Sequence, residues 1–354
     1  MTSSSVAIEP GDPGFSAKVL ELERLRNPPP APVERKLKWR TAKQLAAELG
    51  EQINQVGPYL VVGCLTEFDA FLKVGKTSYT MALARALTTG APFIGVKTTK
   101  GPVVYLNEAS NASFKEALLR ASLDESEDLH VVTWGEAGAL DWDAQVAEAA
   151  AVALEVGAKV LVVDTFAQWA RLVGDDENSS GRMLAAMAPL QRAAAKGLAV
   201  LVVRHARKSG GDVGMSGRGS SAISAACDII LSLERIEGQR DHRRLKYVGR
   251  FDFPTEIDLA YDEGSFELLG TPGEAAKASK RALVENVIPG EDEEPASAKD
   301  LRQAILDDGN KIGLRSVQIT LTELVGKGLA QQAGRGTKTD PFLFKRRLVR
   351  EMRE

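Results

Sequence analysis

One short stretch decides the fold of this chain: Leu72-Lys73-Val74-Gly75-Lys76-Thr77-Ser78. It follows an apolar segment at 59–68 and opens a helical pattern that places Met81, Leu83, Ala84 and Leu87 on one face. An apolar strand, a short loop with Gly-Lys-Thr and a helix form the layout of a phosphate-binding P-loop. The backbone N–H groups of residues 73–78, at the positive end of the helix, are therefore predicted to bind phosphate.

Two side chains of this loop have specific predicted roles. Lys76 would reach the β- and γ-phosphate oxygens of ATP, and Thr77 would offer its hydroxyl to Mg²⁺, whose other ligands are mostly water and phosphate oxygen. One position departs from the full pattern G-x-x-x-x-G-K-[ST], which has glycine where this chain has Ala70. Alanine is costly there only if the loop needs a positive φ at that residue.

Length and composition limit the classes of protein to which this chain can belong. The 354 residues are enough for one large core and a small extra domain, and 44% hydrophobic and 26% charged residues are typical of a globular protein. The net charge of −3 excludes a polybasic protein, although not a local basic face. Cys64 and Cys227 lack metal-ligand spacing and are predicted to be core residues in a reducing compartment. With no bilayer-spanning apolar run and no signal-peptide pattern, we expect a cytoplasmic protein without a membrane partner.

The chain is expected to begin with an arm and a large α/β domain. Residues 1–33 are polar and then proline-rich, so they are predicted to be disordered. Residues 34–270 are predicted to start with an amphipathic helix from Thr41 to Ile53 and to continue with alternating apolar runs and helical patterns, as in a mainly parallel sheet covered by helices. The predicted strands are 65–69, 102–107, 129–134, 159–164, 198–204 and 228–233, with helices at 77–89, 111–121, 143–156 and 180–196. Short strands at 243–249, 255–261 and 265–269 predict an antiparallel edge.

Residues 271–345 predict a second, smaller domain. Helices are expected at 274–287, 297–307 and 314–327, with Ser297 as the cap of the second, and a two-stranded ribbon follows. Three helices followed by a ribbon are the winged form of the helix-turn-helix. Residues 346–354 are predicted to be a basic tail.

Two predicted strands end in carboxylates that suit the chemistry of a P-loop. Asp164 ends the run Val-Leu-Val-Val-Asp at 160–164, where it can hold a water of the Mg²⁺ shell. Otherwise it caps the following segment. Glu108 follows the strand 103–107, where it can orient or deprotonate the attacking water. The alternative for Glu108 is an exposed loop acid.

A third strand ends in basic and polar residues. His205, Arg207 and Lys208 follow it closely and can respond to the γ-phosphate or to a nucleic acid. The alternative for this segment is a solvated strand end. The glycine-rich segment at 210–221 then predicts a mobile loop in which Arg218 can bind phosphate, with a plain flexible linker as the alternative.

Arg250 is a candidate for action on a neighbouring subunit. In ring-forming ATPases an arginine from the next subunit stabilises the charge that develops on the γ-phosphate. Arg250, and less strongly Lys246, Arg243 and Arg244, have this potential on the antiparallel edge. Without a ring they are ordinary surface charges.

The C-terminal segment is strongly basic. From Lys311 onward ten lysines and arginines stand against four acids, a net charge of about +6. In a winged helix this charge predicts contact with DNA, through Arg315 near the start of the third helix and through Arg335 and Lys338 in the wing. The alternative is a domain that docks on a protein.

Several motifs in a fixed order resemble a known family. They are the P-loop at 73–77, Tyr-Leu-Asn-Glu at 105–108, Val-Val-Asp-Thr at 162–165, Val-Arg-His-Ala-Arg-Lys-Ser-Gly-Gly at 203–211 and Arg-Gly-Ser-Ser-Ala at 218–222. Together these resemble the RecA-like AAA ATPases related to the plasmid hexameric replicative helicase RepA and, more distantly, the DnaB helicases. The resemblance covers about 59–270. It implies a RecA-like P-loop NTPase core, ATP and Mg²⁺ as cofactors, and a homo-oligomer that is often a hexameric ring.

The resemblance also assigns roles to individual positions. Lys76 and Thr77 match the Walker A pair, and Asp164 matches the Walker B acid. Glu108 matches the catalytic glutamate, His205 the sensor, and Arg250 the arginine that acts in trans.

Three functions are compatible with these features. The leading hypothesis is a DNA-associated RecA-like ATPase of the helicase or helicase-related kind, in replication or recombination of a bacterium or mobile element. The second is a non-motor DNA-binding regulator that ATP switches. A small-molecule P-loop kinase is the third, and the absence of an evident acceptor site or arginine-rich lid in the sequence disfavours it.

Overall fold

The structure, a computed structural model, describes most of the chain. The described residues are 39–49, 53–138, 140–206, 222–262 and 264–347. The predicted arm at 1–33 and the predicted DNA contacts Arg207, Lys208 and Arg218 lie outside them. The chain divides into two compact units, residues 1–51 and 52–354.

In the first unit one helix, α1, spans Ala42–Leu49. Its predicted cap is present, because Gln44 N donates to Thr41 Oγ1 at 3.2 Å and Thr41 N donates to Gln44 Oε1 at 2.9 Å. The prediction that the helix continues to Ile53 is wrong, since Ile53 has no helical conformation.

The second unit is built around a nine-stranded sheet with the order β11-β10-β9-β8-β3-β7-β6-β4-β5. The six strands from β8 to β5 in that order are parallel, and β9, β10 and β11 are added antiparallel, as predicted. A small hairpin precedes the sheet: β1 Asn54–Val56 and β2 Leu60–Val61. The strands of the sheet are β3 Leu65–Ala70, β4 Val103–Asn107, β5 Leu129–Thr133, β6 Val160–Asp164, β7 Ala199–His205, β8 Ile229–Ile236, β9 Gln239–Gly249, β10 Glu256–Asp262 and β11 Ser265–Gly270.

Helices cover both faces of the parallel part of this sheet. They are α2 Lys76–Thr89, α3 Asn111–Ala121, α4 Trp142–Glu155, α5 Phe166–Trp169, α6 Ser180–Ala195 and α7 Ala222–Ala226. Two separate apolar cores result, one around Phe68, Tyr79 and Met81 and one around Leu161, Leu190 and Trp169. The α/β fold predicted from the sequence, a RecA-like P-loop core with a mainly parallel sheet, is confirmed. Cys64 and Cys227 are free thiols that pack against these two cores.

The residues after β11 form three helices and a small antiparallel sheet around their own core. The helices are α8 Pro272–Val287, α9 Ala298–Asp307 and α10 Leu314–Gly326, and the strands are β12 Ala296–Ser297, β13 Ala330–Ala333 and β14 Leu343–Arg346. Ser297 caps α9 as predicted, in a reciprocal capping box with Asp300. The sequence predicted a two-stranded ribbon, whereas β12 adds a third strand beside β14. Among the described residues no helix is long and apolar enough to span a membrane.

Candidate phosphate-binding site

The P-loop connects the end of β3 to the start of α2. Gly75 precedes the helix with φ 116°, a conformation that side chains disfavour, and Lys73 also has a positive φ of 60°. Ala70 instead is the last residue of the extended strand β3, in register with His205 of β7 and Leu233 of β8. The missing glycine at position 70 therefore costs no backbone strain.

Lys76 lies at the first turn of α2 with its ammonium group directed back over the loop. The side chain is 9% exposed, and Nζ donates to Ala70 O and Phe71 O at 3.1 Å each. These carbonyls hold a buried positive charge beside the loop whose amides are predicted to bind phosphate. An incoming phosphate would add a charge-assisted hydrogen bond to this ammonium group.

Two arginines hold the same loop from the antiparallel strands. Arg235 donates from Nη2 to Lys73 O at 2.6 Å, and Arg243 donates from Nε to Val74 O at 2.8 Å. These arginines face each other across β8 and β9. Two like charges in that position repel each other, so their convergence on the P-loop needs a compensating gain. A triphosphate in the loop would supply the opposite charge.

Aromatic side chains lie next to the P-loop. The Arg243 guanidinium lies 4.6 Å from the Tyr261 ring centroid, and the Tyr261 hydroxyl lies 3.2 Å from Ser78 Oγ. A Cβ added at Gly75 would be 3.8 Å from Phe266 and 3.9 Å from Tyr261, which is ordinary contact. Gly75 is thus required for its backbone conformation and not for space.

Asp164 ends β6 as a buried carboxylate. It accepts a hydrogen bond from the Tyr105 hydroxyl at 2.6 Å, and that hydroxyl also lies 2.9 Å from Thr80 Oγ1. Burial raises the pKa of Asp164 to about 6, although the Tyr105 hydrogen bond opposes the shift, while nearby Glu108 adds to it and Lys76 reduces it. Burial therefore makes ionisation of Asp164 costly.

These residues fit a magnesium ion held partly by a nucleotide. A buried carboxylate whose ionisation is costly gains from a cation nearby, and Thr77 is half-buried at the start of α2 on the same edge of the sheet. In the described part of the chain no cluster of three or more histidine, cysteine or acidic side chains forms a complete metal site. Mg²⁺ needs only one or two protein oxygens, together with phosphate and water.

Glu108 lies beside Asp164. Its backbone N donates to Asp164 O at 2.8 Å, and its carboxylate accepts from Thr165 Oγ1 at 2.5 Å. β4 and β6 are neighbouring parallel strands, with Asn107 in register with Asp164. The structure therefore brings the two predicted acids together at the edge where the P-loop lies.

His205 ends β7 next to the P-loop strand. The preceding residue, Arg204, forms a buried ion pair with Glu67 in the middle of β3, and Ser224 of α7 donates to the same carboxylate at 2.6 Å. Burial raises the pKa of Glu67, an effect that Arg204 and Ser224 oppose. This network joins the P-loop strand to the strand that carries His205 and to α7.

Arg250 is not part of this edge. It follows β9 and is not within a strand as predicted; Gly249 pairs with Ile229 at the start of β8, and Arg250 forms an ion pair with Asp228 at 3.3 Å. Arg250 therefore lies near the amino end of β8, whereas the P-loop follows the carboxyl end of the neighbouring parallel strand β3. A role on a neighbouring subunit stays a prediction.

The other candidates on these strands have partners within the chain. Lys246 pairs with Glu234 at 2.8 Å, and Arg244 makes two hydrogen bonds to Asp258 at 2.7 and 3.1 Å. Arg243 contacts the P-loop of its own chain, and a role for it on a neighbouring subunit stays a prediction.

The predicted DNA contacts of the C-terminal residues are at the surface. Arg315, Arg335 and Lys338 are exposed. Among the described residues they form one ion pair, from Arg335 to Asp340 at 3.8 Å, and its side chains are largely exposed to solvent. Val317, Leu321 and Leu324 of α10 are buried in the C-terminal core, as their spacing predicted.

The sequence did not predict the roles of four residues at the site. They are Tyr105 and Thr165, which bond the two acids, and Arg235 and Arg243, which contact the P-loop. Tyr105 and Thr165 had a usable signal, because each stands in the same strand end as a predicted acid. The arginines had none, since they are 162 and 169 residues from the carbonyls that they contact.

A cleft of about 380 Å³ extends from the P-loop between α2 and α3. Its walls include Thr77, Ser78 and Met81 on one side and Ser113, Glu116 and Arg120 on the other. It has both apolar and polar walls and begins at the residue expected to hold Mg²⁺.

Part of the chain matches a known protein family. Residues 38–211, which include the P-loop, Glu108, Asp164 and His205, match the model of a family described as an AAA domain. Residues 38–211 are therefore similar to an AAA domain. The match ends before β8, so it does not include the antiparallel strands or the C-terminal helices.

Solved structures also match the chain. One is a KaiC-like protein from the hyperthermophilic archaeon Pyrococcus horikoshii OT3, which is 12% identical with a TM-score of 0.44, over 59% of this chain and 90% of that chain. No match was found among the curated proteins.

Proposed function

We propose that this protein is a DNA-associated RecA-like ATPase that hydrolyses Mg²⁺-ATP and acts as a helicase or helicase-related protein in replication or recombination. The observation that carries the ATPase part is the meeting of Lys76, Thr77, Asp164 and Glu108 at one edge of the parallel sheet. Few other reactions need a phosphate-binding loop, a cation-seeking carboxylate and a second carboxylate free to act on water.

Each residue then has a defined task. Backbone amides of the P-loop and the Lys76 ammonium bind the β- and γ-phosphates and stabilise the charge that develops during transfer. Mg²⁺, when bound, would neutralise phosphate charge, and Thr77 and Asp164 would hold it directly or through its water. Glu108, kept in place by Thr165, orients the attacking water and accepts its proton. His205, which is in register with Ala70 of the P-loop strand, would respond to the γ-phosphate.

The nucleoside end of ATP fits the cleft between α2 and α3. Since the cleft starts at Thr77 and Ser78, a nucleotide whose phosphates lie in the P-loop would extend its ribose and base into it. Met81 and Ala117 offer apolar contacts to a base, while Ser113 and Arg120 offer polar contacts to a ribose.

DNA association rests on the C-terminal residues. The net charge of about +6 from Lys311 onward and the exposed Arg315, Arg335 and Lys338 support it, as does the arrangement of three helices with a small antiparallel sheet. The relation to RepA and DnaB, a homo-oligomer that forms a hexameric ring, and a trans role for Arg250 are parts of the same proposal. An ATP-switched, non-motor DNA-binding regulator is the second candidate, supported by the same basic surface.

One assay separates these two functions. ATP turnover is measured on the full chain with Mg²⁺, with and without single-stranded DNA, beside size-exclusion chromatography. A helicase is expected to hydrolyse ATP severalfold faster with single-stranded DNA and to assemble with nucleotide. A regulator is expected to bind duplex DNA in an ATP-dependent manner without stimulation of turnover. No Mg²⁺-dependent turnover under any condition would contradict both.

Arg243 is expected to position the P-loop. Arg243→Gln removes the charged donor to Val74 O, so the loop should lose its preset shape and ATP should bind about tenfold more weakly. The effect should appear mainly in KM, because Arg243 contacts the loop and not the reacting atoms. The matched control is Arg244→Gln, whose guanidinium instead pairs with Asp258. Equal KM values for the two variants would contradict this role.

The wing between β13 and β14 is expected to contact DNA phosphates. Arg335→Ala combined with Lys338→Ala should lower duplex affinity and reduce the slope of log affinity against log salt by about 0.9 per lost contact. Fluorescence anisotropy of a labelled duplex across a salt series measures both quantities. Lys277→Ala with Lys280→Ala removes the same charge from exposed positions of α8 and serves as control. If both double variants change the slope equally, binding is non-specific attraction and not a wing contact.

A further inference from the structure

Two buried hydroxyl groups join the two residues that are proposed to hold Mg²⁺. The Tyr105 hydroxyl donates to Asp164 Oδ2 at 2.6 Å and lies 2.9 Å from Thr80 Oγ1. Thr80 Oγ1 donates in turn to Thr77 O at 3.1 Å. This hydroxyl pair, Tyr105 and Thr80, therefore connects the end of β6, through a side chain of β4, to the first turn of α2. No step of the proposed ATPase reaction uses either hydroxyl.

The hydroxyl pair lies within the core that packs α2 against the sheet. Tyr105 and Thr80 are both 0% exposed, and the Tyr105 ring packs against Phe114 with ring centroids 5.7 Å apart. Phenylalanine and valine would occupy nearly the same volumes without burying a polar atom. Burial of a hydroxyl costs free energy unless the group is hydrogen-bonded. Packing alone therefore gives no reason for a hydroxyl at either position.

The ionised carboxylate of Asp164 determines which groups donate. Such a carboxylate has no hydrogen to donate, and each hydroxyl carries one. Tyr105 therefore donates to Asp164, and its own oxygen remains an acceptor. A helical threonine often bonds a carbonyl one turn back, as Thr80 does with Thr77 O, but the same hydrogen is here also within reach of the Tyr105 oxygen. The Asp164 carboxylate and the first turn of α2 are thus linked through one shared hydrogen.

We propose that Tyr105 and Thr80 are positioning residues, which set the placement of the Asp164 carboxylate relative to Thr77 so that both suit the octahedral shell of Mg²⁺. This inference rests on the proposed ATPase function. Tyr105 occupies Asp164 Oδ2, which leaves Oδ1 for the cation or one of its waters. Mg²⁺ demands near-ideal octahedral geometry, whereas Ca²⁺ accepts a more flexible one. A displaced carboxylate should therefore weaken the binding of Mg²⁺ more than that of Ca²⁺.

The test measures binding and not turnover. The Kd for ATP is determined on the full chain by equilibrium titration, once with excess Mg²⁺ and once with EDTA, and the ratio of the two values gives the gain from the metal. Tyr105→Phe removes the hydrogen bond to Asp164, so this gain should fall about tenfold, the lower end of the effects seen when a group that bonds a metal ligand is lost. The Kd with EDTA should stay nearly the same, because the P-loop itself is unaltered.

Tyr59→Phe is the matched control. It removes a phenol hydroxyl from the same core, at a place where that hydroxyl has no hydrogen-bond partner among the described residues. The gain from Mg²⁺ should be unchanged in this variant. Thr80→Val should lower the gain and Thr80→Ser, which keeps a hydroxyl, should restore it. Thr80→Val also provides the test if Tyr105→Phe does not fold.

Several results would overturn the proposal. They are an unchanged gain in Tyr105→Phe, equal weakening with Mg²⁺ and with EDTA, which is the mark of a merely structural group, and ATP binding without any gain from Mg²⁺ in the unaltered chain. With Ca²⁺ the loss in Tyr105→Phe should be smaller, and equal losses for the two ions would contradict the role in ligand geometry. If the unaltered chain binds no ATP under any of these conditions, the proposed function itself fails.

Discussion

Lys76→Ala should lower ATP turnover by at least about a hundredfold, in line with the loss of one preorganised electrostatic donor. In the structure the Lys76 ammonium already lies over the P-loop, bonded to two carbonyls that a phosphate would replace as partners. A neutral side chain cannot offset the charge that builds up on the γ-phosphate. Steady-state turnover at saturating Mg²⁺-ATP measures the effect.

Folding must be checked in this variant, because Lys76 is buried and bonds the end of β3. Ala70 O keeps a second donor, Ala206 N at 3.0 Å, so the strand end should survive the substitution. Lys97→Ala, an exposed lysine outside the site, controls for loss of charge and should retain activity. If Lys76→Ala folds and hydrolyses ATP at the normal rate, the P-loop interpretation is wrong.

Local pattern was enough to predict the central sheet. Strands buried on both faces need nearly continuous Val, Ile and Leu, and the runs that end at Asn107, Asp164 and His205 have this composition. Because parallel strands end at one edge, predicting the strands also predicted that Glu108 and Asp164 meet near the P-loop. The site acids were therefore predictable from order and spacing alone.

Contacts between distant segments were not predictable. No sequence periodicity connects Arg243 to Val74. A run of arginines on an antiparallel strand predicts a solvent-exposed face, and only the strand register shows that one of them contacts the loop. The Glu67–Arg204 ion pair was not predictable either, because each charged residue lies within a strand whose other residues are mostly apolar. The backbone conformation at Ala70 could not be predicted either, because the sequence does not reveal the sign of φ at that residue.

These long-range contacts have a common arrangement around the P-loop strand. On one side Arg235 and Arg243 bond the loop from the antiparallel strands, and on the other Arg204 ties β3 to the strand that carries His205. The antiparallel strands lead directly into α8 and the C-terminal helices. The same antiparallel strands therefore contact the P-loop and connect in sequence to the helices that carry the residues proposed to bind DNA.

Glu108→Gln is expected to separate binding from chemistry. Glutamine keeps the shape of the side chain, and its carbonyl oxygen can still accept the hydrogen bond from Thr165 Oγ1, so the local structure should persist. What it loses is a base, and general-base catalysis is worth about a hundredfold to ten-thousandfold in rate.

The expected result is a fall of about a hundredfold or more in kcat while the Kd for ATP, measured by equilibrium titration, stays within about threefold. Glu125→Gln, which makes the same change at an exposed position beyond α3, should alter neither quantity. Thr165→Val adds a positioning test: it retains the base but frees the carboxylate, so kcat should fall less than in Glu108→Gln. Should Glu108→Gln weaken binding and turnover equally, Glu108 holds the structure of the site and another group activates the water.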